Sequence, residues 1–236
     1  MKGNNRLIDI HAHIVFGVDD GARNPDESLK LIDMAVSQGI EKIIATPHNM
    51  PNLRPEEIVE KINVLNTKLK EENIKCDIYT GQEIFYSKDT IESLKKKKYL
   101  TLADSNYVLV EFDPGVSFNY LKMATRDIIF GGFIPVFAHV ERYSCLRKNK
   151  RLEEIKTLGA LFQMNYSSLN GGIFNMNTLW CKKKIKEGNV SFMATDMHRI
   201  DLRKPEITKA LSWISKNAEK YLIEMTYENA NVILQK

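Results

Sequence analysis

Apolar and polar positions alternate along Leu7-Ile8-Asp9-Ile10-His11-Ala12-His13-Ile14, the period-two pattern of a strand. Six further β-rich runs follow: Glu41–Thr46, Cys76–Thr80, Tyr107–Phe112, Ile134–His139, Ala160–Met164 and Val190–Thr195. Between them the apolar spacing turns helical. Asn24 is a natural N-cap and Pro25 a natural first helical residue, with Leu29, Ile32, Ala35 and Val36 recurring until Gly39. Pro55 opens a second helix through Ile58, Ile62, Leu65 and Leu69. Helices are also expected over about 88–98, 119–130 and 149–158, before Gly188, and over 205–217 and 227–235. Strict alternation of strand and helix predicts parallel strands joined by crossover helices. The fold class is therefore α/β. Seven strands in this length favour a (β/α)7 barrel over a doubly wound sheet. No linker, repeat or low-complexity segment interrupts the pattern, so residues 1–236 are expected to form one domain.

Composition narrows the picture by exclusion. Hydrophobic content of 43% and charged content of 27% are those of an ordinary soluble protein. A formal charge of +4 is too small to argue for nucleic acid. The dense run Lys95-Lys96-Lys97-Lys98 ends a predicted helix, where lysines suit the dipole, so a solvated helix end is its plainest reading. Three scattered cysteines form no C-x-x-C pair and no disulfide framework, which fits a reducing compartment. The N-terminus lacks the apolar core of a signal peptide, and no apolar run is long enough to span a bilayer. A cytoplasmic protein, not membrane-embedded, is expected.

The placement of ionisable residues carries the chemistry. In barrels, active sites collect at the C-terminal ends of the strands. All five histidines, His11, His13, His48, His139 and His198, lie at or just past such ends. Glu83, Glu111 and Asp196 hold equivalent positions, and Asp196-Met197-His198 repeats the two-residue spacing of the opening pair. Taken alone, H-x-H could be two half-exposed strand histidines, and His48 a loop residue. Jointly, imidazoles and carboxylates aimed at one mouth predict a metal site. Eight to nine N/O donors without cysteine exceed the needs of one tetrahedral zinc, so two or three divalent ions are expected, with Mn, Fe, Zn or Co all compatible.

Such clustered charge suits phosphate. Arg142, just past the His139 strand, can hold phosphate oxygens in bidentate fashion unless it merely pairs with Glu141. Asp20, or less favourably Asp19, lies in the right loop to assist the leaving group. Short strand-to-helix connections would leave the mouth open to a peptide.

The segments IDIHAHIVFGVDDGA, IIATPHN, GQEI, YVLVEF, IPVFAHVER and ATDMH, in this order, resemble the PHP (polymerase and histidinol phosphatase) superfamily. Within it the chain is similar to the bacterial manganese-dependent tyrosine-protein phosphatases of capsule and exopolysaccharide operons. The resemblance implies a distorted seven-stranded TIM-like barrel with three metal ions. It implies that His11, His13, Glu83 and Asp196 hold one ion. Glu83 would bridge to a second, with Glu111 and His139. His48, His198 and Asp20 would hold a third. It implies Arg142 on the phosphate, Asp20 also in proton transfer, Mn as metal (Fe, Zn, Co or Mg as substitutes), and the phosphotyrosine-rich tail of a bacterial tyrosine kinase as substrate. After His48 the chain reads Asn-Met-Pro-Asn, where relatives often carry a histidine or a basic residue, so recognition at this rim departs from the pattern. Three other readings compete: a small-molecule phosphatase such as one for histidinol phosphate, an amidohydrolase, and a catalytically silent binding module. An amidohydrolase commonly places a lysine where strand four here ends in Glu111. A silent module has no reason to retain a full set of buried polar donors.

Overall fold

The structure, a computed structural model, describes residues 6–148 and 150–235. Among the described residues eight parallel strands appear: β1 (Leu7–Ala12), β2 (Ile40–Ala45), β3 (Asp77–Thr80), β4 (Glu83–Phe85), β5 (Tyr107–Glu111), β6 (Ile134–Phe137), β7 (Leu161–Asn165) and β8 (Phe192–Ala194). They form two sheets, β1-β2-β3 and β4-β5-β6-β7-β8. Two seams join the sheets into a barrel. Between β8 and β1, His13 donates its N–H to Met197 O at 2.8 Å and Asp196 to His11 O at 2.9 Å. Beyond the end of β2, Glu83 donates to Pro47 O at 3.1 Å and Asn49 to Glu83 O at 3.1 Å.

The expected third strand appears as β3, and β4, a strand not expected from the sequence, continues it beyond a kink at Gly81-Gln82, so that seven strand positions make up the distorted barrel. The kink presses onto β2. A Cβ at Gly81 would stand 2.8 Å from Ile44 Cγ2 and 3.2 Å from Ala45 O, so only glycine fits without a shift.

The helices start where the sequence places them. Asn24 Oδ1 accepts Glu27 N–H and opens α1 (Pro25–Val36); α2 (Pro55–Glu71) buries Ile58, Ile62, Leu65 and Leu69. Then come α3 (Thr90–Lys95), α4 (Phe118–Phe130), α5 (Arg151–Thr157), α6 (Met176–Lys186) and α7 (Thr208–Asn217). The start of the helix expected over 149–158 falls on Asn149, outside the described residues. The final helix begins earlier than its apolar spacing indicates, with α8 (Glu219–Ile223) running through a π-turn into α9 (Asn229–Leu234). Connections at the mouth are not uniformly short: residues 13–24 separate β1 from α1, and 195–207 separate β8 from α7.

Ile8, Ile10, Ile44, Leu109, Val136 and Phe192 come from five strands and form one apolar cluster, joined by Ala230 and Ile233 of α9. A cluster drawn from so many strands is the barrel interior. Strand alternation carries that face upward into ionisable residues: Leu109 to Glu111, Ile44 through Thr46 to His48, and Phe192 through Ala194 to Asp196. The floor is apolar and the mouth polar.

Candidate metal centre

Glu83 lies at the middle of the mouth, 1% exposed, ringed by imidazoles. Its Oε2 is 3.2 Å from each of His11 Nε2, His13 Nε2 and His48 Nδ1, and its Oε1 is 2.8 Å from His139 Nε2. Glu111, from β5, approaches His48 Nδ1 at 3.3 Å and His139 Nε2 at 3.5 Å. Asp196 Oδ1 stands 3.5 Å from His11 Nε2 and 3.6 Å from His13 Nε2. The His198 ring stacks on His13 with centroids 3.9 Å apart. Asp20, on the rim with a 66% exposed side chain, reaches within 3.6 Å of His48 and 3.5 Å of His198. Every residue expected at the mouth from the sequence is therefore found there.

Seven of these donors group into three sets whose ligand atoms lie within 4.8 Å of one another: His13, Asp20, His48 and His198; His11, His13 and Glu83; His48, Glu83 and Glu111. Asp196 and His139, expected in the first and second ligand sets, stand beside these groups rather than in them. Atoms holding a common ion at about 2.1 Å stand roughly 3–3.5 Å apart. The separation of 3.1 Å between His11 Nε2 and His13 Nε2 matches that spacing. Three ring nitrogens converging on one buried carboxylate oxygen form no ordinary hydrogen-bond network. The donor set fits divalent cations.

Without cations the imidazoles and carboxylates must neutralise each other. Burial pushes the His13 imidazole down, but its hydrogen bonds to Asp19 and Glu83 outweigh this and hold its pKa well above the usual value. Burial likewise opposes charge on His139, and hydrogen bonds to Glu111 and Glu83 lift it to about 9. Burial raises Glu111, yet contacts with His139 and His48 bring it down to about 2. His198 differs: burial and the neighbouring His13 charge push it down to about 4.

Residues outside the expected ligand set hold this arrangement in place. Asp19 rather than Asp20 is the buried partner of β1. Its Oδ2 accepts from His13 Nδ1 at 2.8 Å and from His48 N–H at 3.0 Å, and its Oδ1 accepts from Gly21 N–H at 2.9 Å. Gly21 packs so closely on His13 that a Cβ there would meet the His13 carbonyl. Gln163 Oε1 accepts from His11 Nδ1 at 3.0 Å and His139 N–H at 2.7 Å. Gln163 Nε2 donates to Asn165 Oδ1 at 2.8 Å, and Asn165 Nδ2 to Asp196 Oδ2 at 2.7 Å. His139 (φ 33°) and Asp196 (φ 52°) occupy the left-handed region, a strain of about 1–3 kcal/mol each that such contacts must hold. Asp9 is buried and accepts from the backbone N–H groups of His11 and Thr195, supporting the strand beneath the site.

Arg142 does not pair with Glu141. Its Nη2 donates to Asp196 Oδ2 at 2.6 Å, while Glu141 turns inward to Asn165 N–H. A second arginine, Arg203, donates to the same oxygen at 3.0 Å. Nothing in the spacing around His198 singled out Arg203. Two guanidiniums thus share one carboxylate oxygen at the rim.

The family model for capsular polysaccharide synthesis CpsB/CapC proteins matches residues 7–235. The chain belongs to the CpsB/CapC family. It is 34% identical over 239 residues to the tyrosine-protein phosphatase CpsB of Streptococcus agalactiae, covering 97% of this chain and 98% of that protein. Among solved structures it superimposes with a TM-score of 0.89, at 32% identity, on the work describing YwqE of Bacillus subtilis and CpsB of Streptococcus pneumoniae as metal-dependent tyrosine phosphatases; 97% of this chain and 94% of that one are covered. The histidinol phosphate phosphatase of Lactococcus lactis, crystallised with zinc, L-histidinol and phosphate, shares the fold at TM-score 0.58 and 15% identity, over 95% and 98% of the two chains. That last likeness concerns the barrel alone.

Proposed function

We propose that this CpsB/CapC protein is a cytoplasmic, metal-dependent protein-tyrosine phosphatase acting as a single domain on the phosphotyrosine tail of a bacterial tyrosine kinase in capsular or exopolysaccharide synthesis. The observation that carries this reading is Glu83 among four imidazoles, with two arginines at the rim of the same mouth. His11, His13, Glu83 and Asp196 would hold one divalent ion, Glu83, Glu111 and His139 a second, and His48, His198 and Asp20 a third, with Mn as the working metal. Such ions, when bound, make water a nucleophile near neutral pH and offset phosphoryl charge.

The chain's own residues supply the rest. Arg142 and Arg203 exchange Asp196 Oδ2 for phosphate oxygens, for which a planar guanidinium is well matched. Asp20, at the solvent edge, is placed to give a proton to the departing phenolate. Phenolate is a good leaving group, so one rim carboxyl suffices.

Purified protein loaded with Mn should hydrolyse phosphotyrosine peptide in preference to phosphoserine peptide and histidinol phosphate. A preference for histidinol phosphate would overturn the substrate class. Silence on all three would leave a binding module.

A further inference from the structure

The lysine run does more than end a helix. α3 stops at Lys95, and Lys96, Lys97 and Lys98 turn into the wall of a cavity of about 900 Å3. Lys97, Lys98 and Tyr99 form one side, and Met50, Leu53 and Arg54 the other. Both walls are tied to the metal centre. Met50 lies two residues past His48, and consecutive Cα atoms are 3.8 Å apart, so the two Cα atoms cannot be more than about 8 Å apart. On the other side, Leu100 N–H donates to Gln82 Oε1 at 3.2 Å, next to Glu83.

The charge balance inside the cavity leaves cations over. Lys96 is bound by Glu92, and Glu56 and Asp89 also face the space. Arg54, Lys97 and Lys98 are exposed and make no ion pair among the described residues. The 17-residue α2 points its N-terminus at the same space, and Arg54, its cap position, makes no side-chain capping bond. Helix N-termini favour anions, although Glu56 takes part of that advantage here.

We infer that this cavity is an accessory subsite for a second anionic side chain, phosphate monoester or carboxylate, on the peptide whose phosphotyrosine occupies the metal centre. The inference rests on the phosphatase reading. An extended peptide advances about 3.3–3.6 Å per residue, so a group two to four positions from the scissile tyrosine spans from one site to the other. Met50, Leu53 and Tyr99 offer apolar surface to a tyrosyl ring. Arg54 and Lys98 offer charge to what the ring carries.

The test measures peptide binding by fluorescence anisotropy on the Mn-loaded protein, with every phosphotyrosine of the peptides replaced by a non-hydrolysable phosphonate analogue so that no turnover occurs. Three peptides share one phosphotyrosine and differ three residues away: neutral, glutamate, or a second phosphotyrosine. The full chain should bind the doubly phosphorylated peptide about tenfold more tightly than the neutral one. The glutamate peptide tells whether carboxylate suffices or phosphate is required. Arg54→Glu/Lys98→Glu should abolish the preference, and the milder Arg54→Gln/Lys98→Gln should reduce it. Equal binding of all three peptides by the wild type, or a preference surviving both variants, would overturn the subsite. Turnover of the singly phosphorylated peptide with Mn tests the phosphatase reading separately. That rate should be unchanged in both variants.

Discussion

Gln163 bridges two residues from opposite sides of the barrel mouth: its Oε1 accepts the His11 ring N–H at 3.0 Å and the His139 backbone N–H at 2.7 Å. One amide oxygen therefore sets the tautomer of one expected ligand and the strained backbone of another. Removing a group that orients metal-ligating histidines typically costs 10–100-fold in metal affinity. Gln163→Leu should bind Mn about 10–100-fold more weakly, with activity recovered at high metal. Metal titration of the purified variant decides this; unchanged affinity would mean that neighbouring packing alone fixes the two histidines.

Asp20 has two proposed duties, and the leaving group separates them. A proton donor matters more as the leaving phenol becomes less acidic. Asp20→Asn, which keeps a ligating carbonyl oxygen but no acidic proton, should slow p-nitrophenyl phosphate only slightly and phenyl phosphate by about 100-fold. An equal loss on both substrates would leave Asp20 as a ligand only.

How far the sequence disclosed this site depends on residue type. Histidines and carboxylates at strand ends are conspicuous, because burying them unpaired is costly, and each of those positions lies at the mouth. Neutral amides carry no such signal. Gln163 and Asn165 stood in plain view as alternate residues of Leu161-Phe162-Gln163-Met164-Asn165, two polar groups on one face of an otherwise apolar strand. That period-two pattern could have found them. Arg203 lies in a loop without periodicity, and only the fold brings it to Asp196. The strand β4 beyond Gly81-Gln82 was missed for a similar reason: three residues are too few to show a period, and pairing with β5 holds them extended.

The thiols play no part in this chemistry. Burial pushes Cys76 and Cys181 up to about 12 and raises Cys145, so none is a thiolate at neutral pH. Iodoacetamide should leave phosphotyrosine hydrolysis intact, and a chelator should abolish it reversibly. Inactivation by the alkylating agent, with the substrate protecting, would point instead to a cysteinyl intermediate.

Glu27 ties the first helix to the loop that carries Asp19 and Asp20. Its carboxylate accepts Arg23 N–H at 2.9 Å and the Arg23 guanidinium at 2.8 and 2.9 Å, while its own N–H is capped by Asn24. The hydrogen bond from Arg23 lowers the Glu27 pKa despite the opposing effect of burial. A carboxylate with a depressed folded pKa adds stability above its unfolded value, and that stability is lost as pH falls through the folded one. Glu27→Gln should therefore cost about 1 kcal/mol at neutral pH, a modest figure because Arg23 is half in water. The gap between the two proteins should begin to close near pH 4 and shrink further in more acid solution. Urea unfolding of both chains at neutral pH and below pH 4 measures it. A gap that stays constant would show that the neutral hydrogen bonds, and not the charge of Glu27, hold the loop.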